Sequence, residues 1–339
     1  LKKILLTIFM LILFAENSHA NYNSTFYTTS SVFARAMGMG RAYTAVKDGL
    51  ASIIYNPAAF QKQQPGSPFH LYINPVGAYA ASKSWQALQD IDTQRSIEGL
   101  GVAGLFFRSM MYATPAFRLT LLLSEELPDS PTQKDDSDSF SGEHVMDWHY
   151  HTLSTQIRLA EQVSIGASGY AFMLQNEDAE NYQKKFGGSY GITMNPSKQF
   201  SAGIAYYALP DIADSLFYKQ HRIVNETVNV GVAYQPSQNV TLALDVRNVT
   251  EDDKLSSREI HVGAEGVLGS LFAFRGGYYH RLDQNDVYSC GLGIADHKMY
   301  PSQEDHFFIN RLSLNYSMEI LKQETDFALT HYVTMLFRL

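Results

Sequence analysis

From about residue 69 to residue 339 the chain falls into runs of roughly ten residues in which apolar and polar side chains alternate, each run closed by turn-forming residues. Alternation with a period of two puts successive side chains on opposite faces of a strand. In Val240 to Asn248, Val240, Leu242, Leu244 and Val246 alternate with Thr241, Ala243, Asp245 and Arg247. The preceding run sets Val228, Val230, Val232 and Tyr234 against Thr227, Asn229, Gly231 and Ala233, and Pro236 to Asn239 reads as a tight turn between the two. Near the end, Leu312, Leu314, Tyr316 and Met318 alternate with Arg311, Ser313, Asn315 and Ser317.

The pattern predicts strands over 69–77, 100–108, 114–123, 148–159, 163–174, 186–195, 200–209, 226–235, 240–249, 258–268, 271–281, 286–295, 307–317 and 328–339. Single-chain bacterial barrels use an even number of strands, with short turns at one end and longer loops at the other. With the first strand running outward, residues 109–113, 161–162, 196–199, 236–239 and 269–270 fall on the short side. The long side takes 78–99, 124–147, 175–185, 210–225 and 250–257, while 296–306 and 282–285 break the parity and leave the count open there. The final run offers Leu329, Val333, Met335, Phe337 and Leu339 on one face. The competing reading is a soluble two-sheet protein, which also alternates. The 21 tyrosines and 20 phenylalanines, many at the ends of runs as at Tyr207, Phe217 and Tyr218, favour aromatic girdles at membrane interfaces.

The first twenty residues read as an export signal. Lys2 and Lys3 precede an apolar run from Ile4 to Phe14, and Ser18-His19-Ala20 offers small residues for cleavage after Ala20. That run is too short to span a bilayer core of about 30 Å as a helix, and no later stretch reaches the roughly twenty apolar residues required. A membrane location therefore implies a barrel. The formal charge of −8 gives no support for a nucleic-acid partner. Cys290 alone excludes an intrachain disulfide and reads as a small packed residue. The acidic stretch Glu125 to Glu143 reads as a solvated loop. His149 and His151, with His144 nearby, lack a third ligand at metal-site spacing, and no Gly-x-Ser-x-Gly motif is present, so neither a metal, a cofactor nor an enzyme activity is expected.

Residues 34 to 60 differ from all that follows, with small residues in place of alternation. Gly38 and Gly40 permit tight turns and close approach to a wall. Lys47 to Tyr55 suits a short helix ended at Asn56, because the residue before Pro57 is pushed out of helical geometry. No Lys-Ser/Thr pair follows the glycines, which argues against a phosphate cradle.

Gly38-Met39-Gly40-Arg41-Ala42-Tyr43, followed by Asp48 and by Asn56-Pro57-Ala58, resembles the N-terminal signature of FadL-type outer-membrane transport proteins, a signature shared by PorV-like relatives. The resemblance implies an all-β, transmembrane antiparallel barrel of about fourteen strands in the bacterial outer membrane. Its division would be a signal peptide over 1–20, a hatch in the lumen over 21–65 and a barrel over 66–339. It implies passive uptake of hydrophobic small molecules such as long-chain fatty acids, gated by the hatch. The alternative, a PorV-like barrel, would dock secreted or envelope proteins without transport. The expected partners are a hydrophobic ligand, outer-membrane lipids and the barrel-assembly machinery. Gly38, Gly40, Arg41, Ala42 and Tyr43 would form the turn of the hatch, and Asn56, Pro57 and Ala58 its link to the first strand. Arg41 has two readings, an anchor to an acidic lumenal residue such as Asp245 or Glu265, which is favoured, and a partner for a ligand carboxylate. Phe33, Met37 and Met39 are candidate ligand contacts, or else pack the hatch against the wall.

Overall fold

The computed structural model describes residues 23–26, 33–47, 50–59, 68–74, 104, 107–127, 148–175, 182–211, 217–218, 221–250, 258–268, 272–281, 286–294, 312–322 and 327–338. Asp48 and residues 1–20, read as an export signal, lie outside them. A short strand β1 (Asn23–Phe26) and two short helices, α1 (Phe33–Gly38) and α2 (Ser52–Tyr55), precede the barrel strands. These are β2 (Phe69–Ile73), β3 (Phe107–Ala113), β4 (Phe117–Glu126), β5 (Trp148–Ala160), β6 (Val163–Gln175), β7 (Tyr182–Met194) and β8 (Phe200–Ala208). They continue as β9 (Thr227–Ser237), β10 (Val240–Arg247), β11 (Glu259–Leu268), β12 (Phe272–Arg281), β13 (Val287–Ile294), β14 (Leu312–Lys322) and β15 (Phe327–Arg338).

Each strand from β2 to β15 pairs with its neighbours in sequence, and β15 returns to pair with β2, so fourteen antiparallel strands close into a barrel. Closure removes the open edges that a membrane core would not tolerate. The seam is short: Phe337 pairs with Ile73 and Arg338 with Tyr72. Further along β15, Leu329 to Tyr332 are bonded to β1, which runs parallel to it as an added fifteenth strand.

The two faces of the wall are inverted relative to a soluble protein. Leu242, Leu244, Val246, Ile260, Val262, Ile192, Ile204 and Phe274 are exposed on the outside, whereas Thr241, Asp245, Arg247, Glu259, His261, Glu265 and Arg275 are buried on the inside. Water would penalise that apolar belt, and a bilayer would not. The soluble two-sheet reading is thereby excluded.

Several sequence expectations shift. The strand expected at 100–108 is β3 at Phe107–Ala113, because the turn falls at Thr114-Pro115-Ala116, where Phe117 N–H donates to Thr114 Oγ1 at 3.1 Å. The strand expected at 307–317 is β14 at Leu312–Lys322. Residues 296–306 and 282–285, where the parity failed, lie outside the described residues. Glu125 is buried on β4 and does not belong to a solvated loop. Cys290 lies exposed on the outer face of β13. Tyr207 and Phe217 are fully buried, so they are not girdle residues; the exposed rings include those of Tyr190, Tyr206, Tyr234, Tyr288, Phe186 and Phe274.

Candidate functional site

The candidate site is the lumen, where residues 34–46 and 50–59 are buried against the inner wall. After α1 the chain turns sharply: Gly40 has φ of 59° and Arg41 of 61°. A left-handed non-glycine residue is uncommon, and here the surroundings hold it. Arg41 N–H donates to Ala36 O at 2.8 Å, and Gly40 N–H donates to Ser289 Oγ at 3.0 Å.

Close approach requires a bare wall. Inward positions on seven strands carry glycine: Gly166, Gly191, Gly203, Gly231, Gly263, Gly277 and Gly291. A Cβ at Gly277 would lie 2.0 Å from Gly40 N, one at Gly263 2.3 Å from Met39 O, and one at Gly203 2.3 Å from Thr44 O. Further round, a Cβ at Gly191 would meet Asn56 Oδ1 at 2.0 Å, and one at Gly166 would meet Pro57 O at 2.2 Å. Register joins these positions sideways, pairing Gly166 with Gly191, Gly203 with Gly231 and Gly263 with Gly277. The result is a shallow girdle from β6 to β13 on which the N-terminal segment sits. Alternation had marked the inward face, but not why glycine recurs on it.

Polar contacts fix the segment along this girdle. Asp245 Oδ2 accepts from Tyr43 N–H at 2.8 Å, Thr44 N–H at 2.9 Å and Thr44 Oγ1 at 2.7 Å. Arg35 pairs with Glu265 through Nε at 2.9 Å and NH2 at 2.7 Å, and Arg275 Nε reaches the same carboxylate at 2.7 Å. Arg41 is ion-paired, but with Glu319 at 2.9 Å in place of the expected Asp245 or Glu265. Those two carboxylates are already engaged by backbone amides and by Arg35 and Arg275.

The second part of the segment is held by neutral groups. Ser168 Oγ donates to Ile53 O at 3.3 Å and Tyr207 Oη to Ile54 O at 3.1 Å. Asn56 is extended at φ −165°, as expected before Pro57. Its amide donates to Thr44 O at 2.8 Å and accepts from Ala58 N–H at 2.9 Å, stitching the two parts together.

Of the ligand candidates, Met37 and Met39 are buried in the lumen. Met37 Sδ accepts from Arg41 Nε at 2.7 Å, and Met39 lies against Gly263. Phe33 starts α1, and its side chain is outside the described set. Met39 belongs to a larger buried apolar cluster that also takes in Tyr55, Leu122, Tyr150, Tyr170, Phe172, Phe217 and Ile223. His221 joins it, with Tyr150 Oη and His221 Nε2 at 3.1 Å. Burial first, then Arg41 and Arg247, hold the His221 imidazole well below its ordinary pKa, so it is neutral at pH 7. No run of sequence marked this cluster, since its rings come from α2, β5, β6 and the segment before β9.

Behind it stands Arg247, fully buried, whose NH1 donates to His221 O at 2.7 Å and whose NH2 bonds Arg41 O and reaches Asp245 Oδ2 at 3.2 Å. Nearby, Glu259 binds Arg222 and His261, and His261 Nδ1 lies 2.7 Å from Gly40 O. His149 and His151 are stacked edge to face at 5.2 Å, and Ser124 N–H donates to His151 Nδ1. Among the described residues, no group of three or more His, Cys, Asp or Glu is placed to hold a metal ion.

Fold and site together define a bacterial outer-membrane β-barrel of fourteen strands whose lumen contains its own N-terminal segment. Solved structures similar to the chain include the CymD monoaromatic hydrocarbon channel, at 11% identity and a TM-score of 0.46 over 92% of this chain and 97% of that one. The toluene transporter TbuX of Ralstonia pickettii is similar at 11% identity and 0.47, over 90% and 96%. TodX of Pseudomonas putida, also a toluene transporter, is similar at 11% and 0.46, over 94% and 98%. No protein-family profile and no curated protein sequence matches the chain.

Proposed function

We propose that the protein is a channel for passive uptake of hydrophobic small molecules across the outer membrane, with residues 33–59 as its hatch. The observation that carries this reading is an N-terminal segment folded inside the lumen and packed against a cluster of aromatic side chains from the wall. The segment rests on wall glycines and is held by side-chain ion pairs and hydrogen bonds rather than by the wall's own strand ladder, so it can leave without unfolding the wall. Packed with Ile53, Ile54 and Tyr55, the rings of Tyr150, Tyr170 and Phe172 give an otherwise polar interior an apolar surface that departure of the segment would open to apolar molecules.

Two ligand classes fit that surface, long-chain fatty acids and single-ring hydrocarbons. The cluster is made of rings whose faces and edges favour another ring, so monoaromatics are the preferred class. Arg41 serves as an anchor of the hatch, its charge already neutralised by Glu319. Gly38, Gly40, Ala42 and Tyr43 shape the hatch turn, and Asn56, Pro57 and Ala58 return the chain toward the wall. Asp48 belongs to the same motif.

The test is uptake of labelled oleate and of toluene into liposomes containing the full chain, beside a variant lacking residues 21–40. Uptake above that of empty liposomes, faster in the deletion variant, is expected. Absence of uptake for both probes, together with no effect of the deletion, would discard the transport reading.

A further inference from the structure

Resting on that reading, we propose that Phe217 is a built-in occupant of an aromatic box which an incoming apolar ring takes over, and that its displacement loosens the hatch through Arg247. Phe217 is fully buried although it belongs to the segment between β8 and β9 and not to the wall. Its ring stands 5.7 Å from Tyr150, 5.7 Å from Tyr170, 6.1 Å from Phe172 and 4.5 Å from His221, with interplanar angles of 54° to 87°. Tilted and edge-on contacts at these separations are those by which an aromatic guest is held. The polar tips of the box are engaged with one another or with the wall: Tyr150 Oη with His221 Nε2, and Tyr170 Oη with Ser189 Oγ at 2.9 Å. What the box offers a guest is therefore ring surface, and the guest it fits is an unsubstituted or alkyl-substituted benzene ring.

The same segment is tied to the hatch turn. His221 is four residues beyond Phe217 and gives its carbonyl to Arg247, while the other arm of that guanidinium holds Arg41 O and Asp245. Arg222 N–H donates to Tyr218 O at 2.8 Å, and its side chain binds Glu259, which leads through His261 to Gly40 O. His221 and Arg222 thus share two buried connectors with Gly40 and Arg41, one cationic and one acidic. A guest that expels Phe217 pulls His221 O from Arg247. A buried guanidinium arm left without its acceptor is costly, so water entry or a shift of the Arg41 turn follows.

The experiment uses the full chain in nanodiscs, with a thiol placed on the hatch by Ala36→Cys in a Cys290→Ser background. Two quantities are read: labelling of that thiol by a membrane-impermeant maleimide, and binding of fluorobenzene by fluorine NMR relaxation. Heat-modifiable migration in gels reports that each barrel is folded. Fluorobenzene is expected to speed labelling at least about fivefold in the otherwise unchanged chain. Phe217→Ala should label at the fast rate without fluorobenzene and bind it about tenfold tighter, having no occupant to expel. Phe217→Leu, which keeps bulk in the box, should remain slow. Arg247→Met should label fast while its affinity for fluorobenzene changes less than about twofold. Labelling of Phe217→Ala at the slow rate, or weaker fluorobenzene binding by it, overturns the inference. If liposomes with the unchanged chain still take up toluene, that failure leaves the transport reading standing; if no apolar probe enters, the transport reading itself has failed.

Discussion

The two parts of the lumenal segment, Ala34 to Thr44 and Ser52 to Ala59, are both buried but are held by different physics. The first carries Arg35 and Arg41 and meets Glu265, Asp245 and Glu319. The second contributes no charge and meets Ser168, Tyr207 and apolar side chains. Buried ion pairs lose much of their attraction to desolvation, so they add little net affinity, yet breaking one by removing a partner is severe. They specify position. Neutral hydrogen bonds and apolar contact tolerate displacement one at a time, and give a surface that can slide or part. The difference teaches that the charged part fixes where the segment sits on the wall, whereas the neutral part packs against the aromatic cluster.

The sharpest way to break this division is Asp245→Ala. It removes the acceptor of two backbone amides and a hydroxyl and leaves Arg247 without its carboxylate, at about 3–5 kcal/mol. The expected result is a rise of more than about a hundredfold in labelling of a hatch thiol placed by Ala36→Cys, while heat-modifiable migration shows an intact barrel. Gly277→Ala comes next. A Cβ 2.0 Å from Gly40 N must push the turn off the wall, at about 1–3 kcal/mol, and the same labelling should rise roughly tenfold. Ser168→Ala should do least, since one hydrogen bond to Ile53 O is worth about 1 kcal/mol and the rate should change only a few-fold. Should Ser168→Ala exceed Asp245→Ala, the roles of the two parts would be reversed.

Much of the wall was legible beforehand because its rule is local. A strand of period two in a bilayer must send Leu242, Leu244 and Val246 one way and Thr241, Asp245 and Arg247 the other, and it does. One strand was misplaced where turn chemistry competed with alternation: Thr114-Pro115-Ala116 closes a turn at the start of the run read as a strand over 114–123, while 109–113, read as the connection, belongs to β3. The segment ahead of the barrel was legible as small residues before a proline, and Asn56 ends α2 as Pro57 requires. Its partners were legible only as a class. An acidic lumenal residue for Arg41 follows from charge, but Glu319 is chosen over Asp245 and Glu265 by which strand lies beside the turn and which carboxylates other groups have taken.

The glycines show the same division. Each of Gly203, Gly231, Gly263 and Gly277 is unremarkable within its strand, and only the interstrand register sets them side by side as a bed for a segment over 100 positions earlier in the chain. Phe217 stands further still from prediction, because nothing near it in sequence distinguishes a ring at an interface from a ring in a box. The sequence by itself determined the inverted wall, the approximate number of strands and the break in pattern ahead of them, since these depend on neighbours one or two residues apart. The tertiary structure decided which carboxylate holds which arginine, where the wall is bare and what Phe217 fills, because those depend on closure, register and the order in which buried groups find partners.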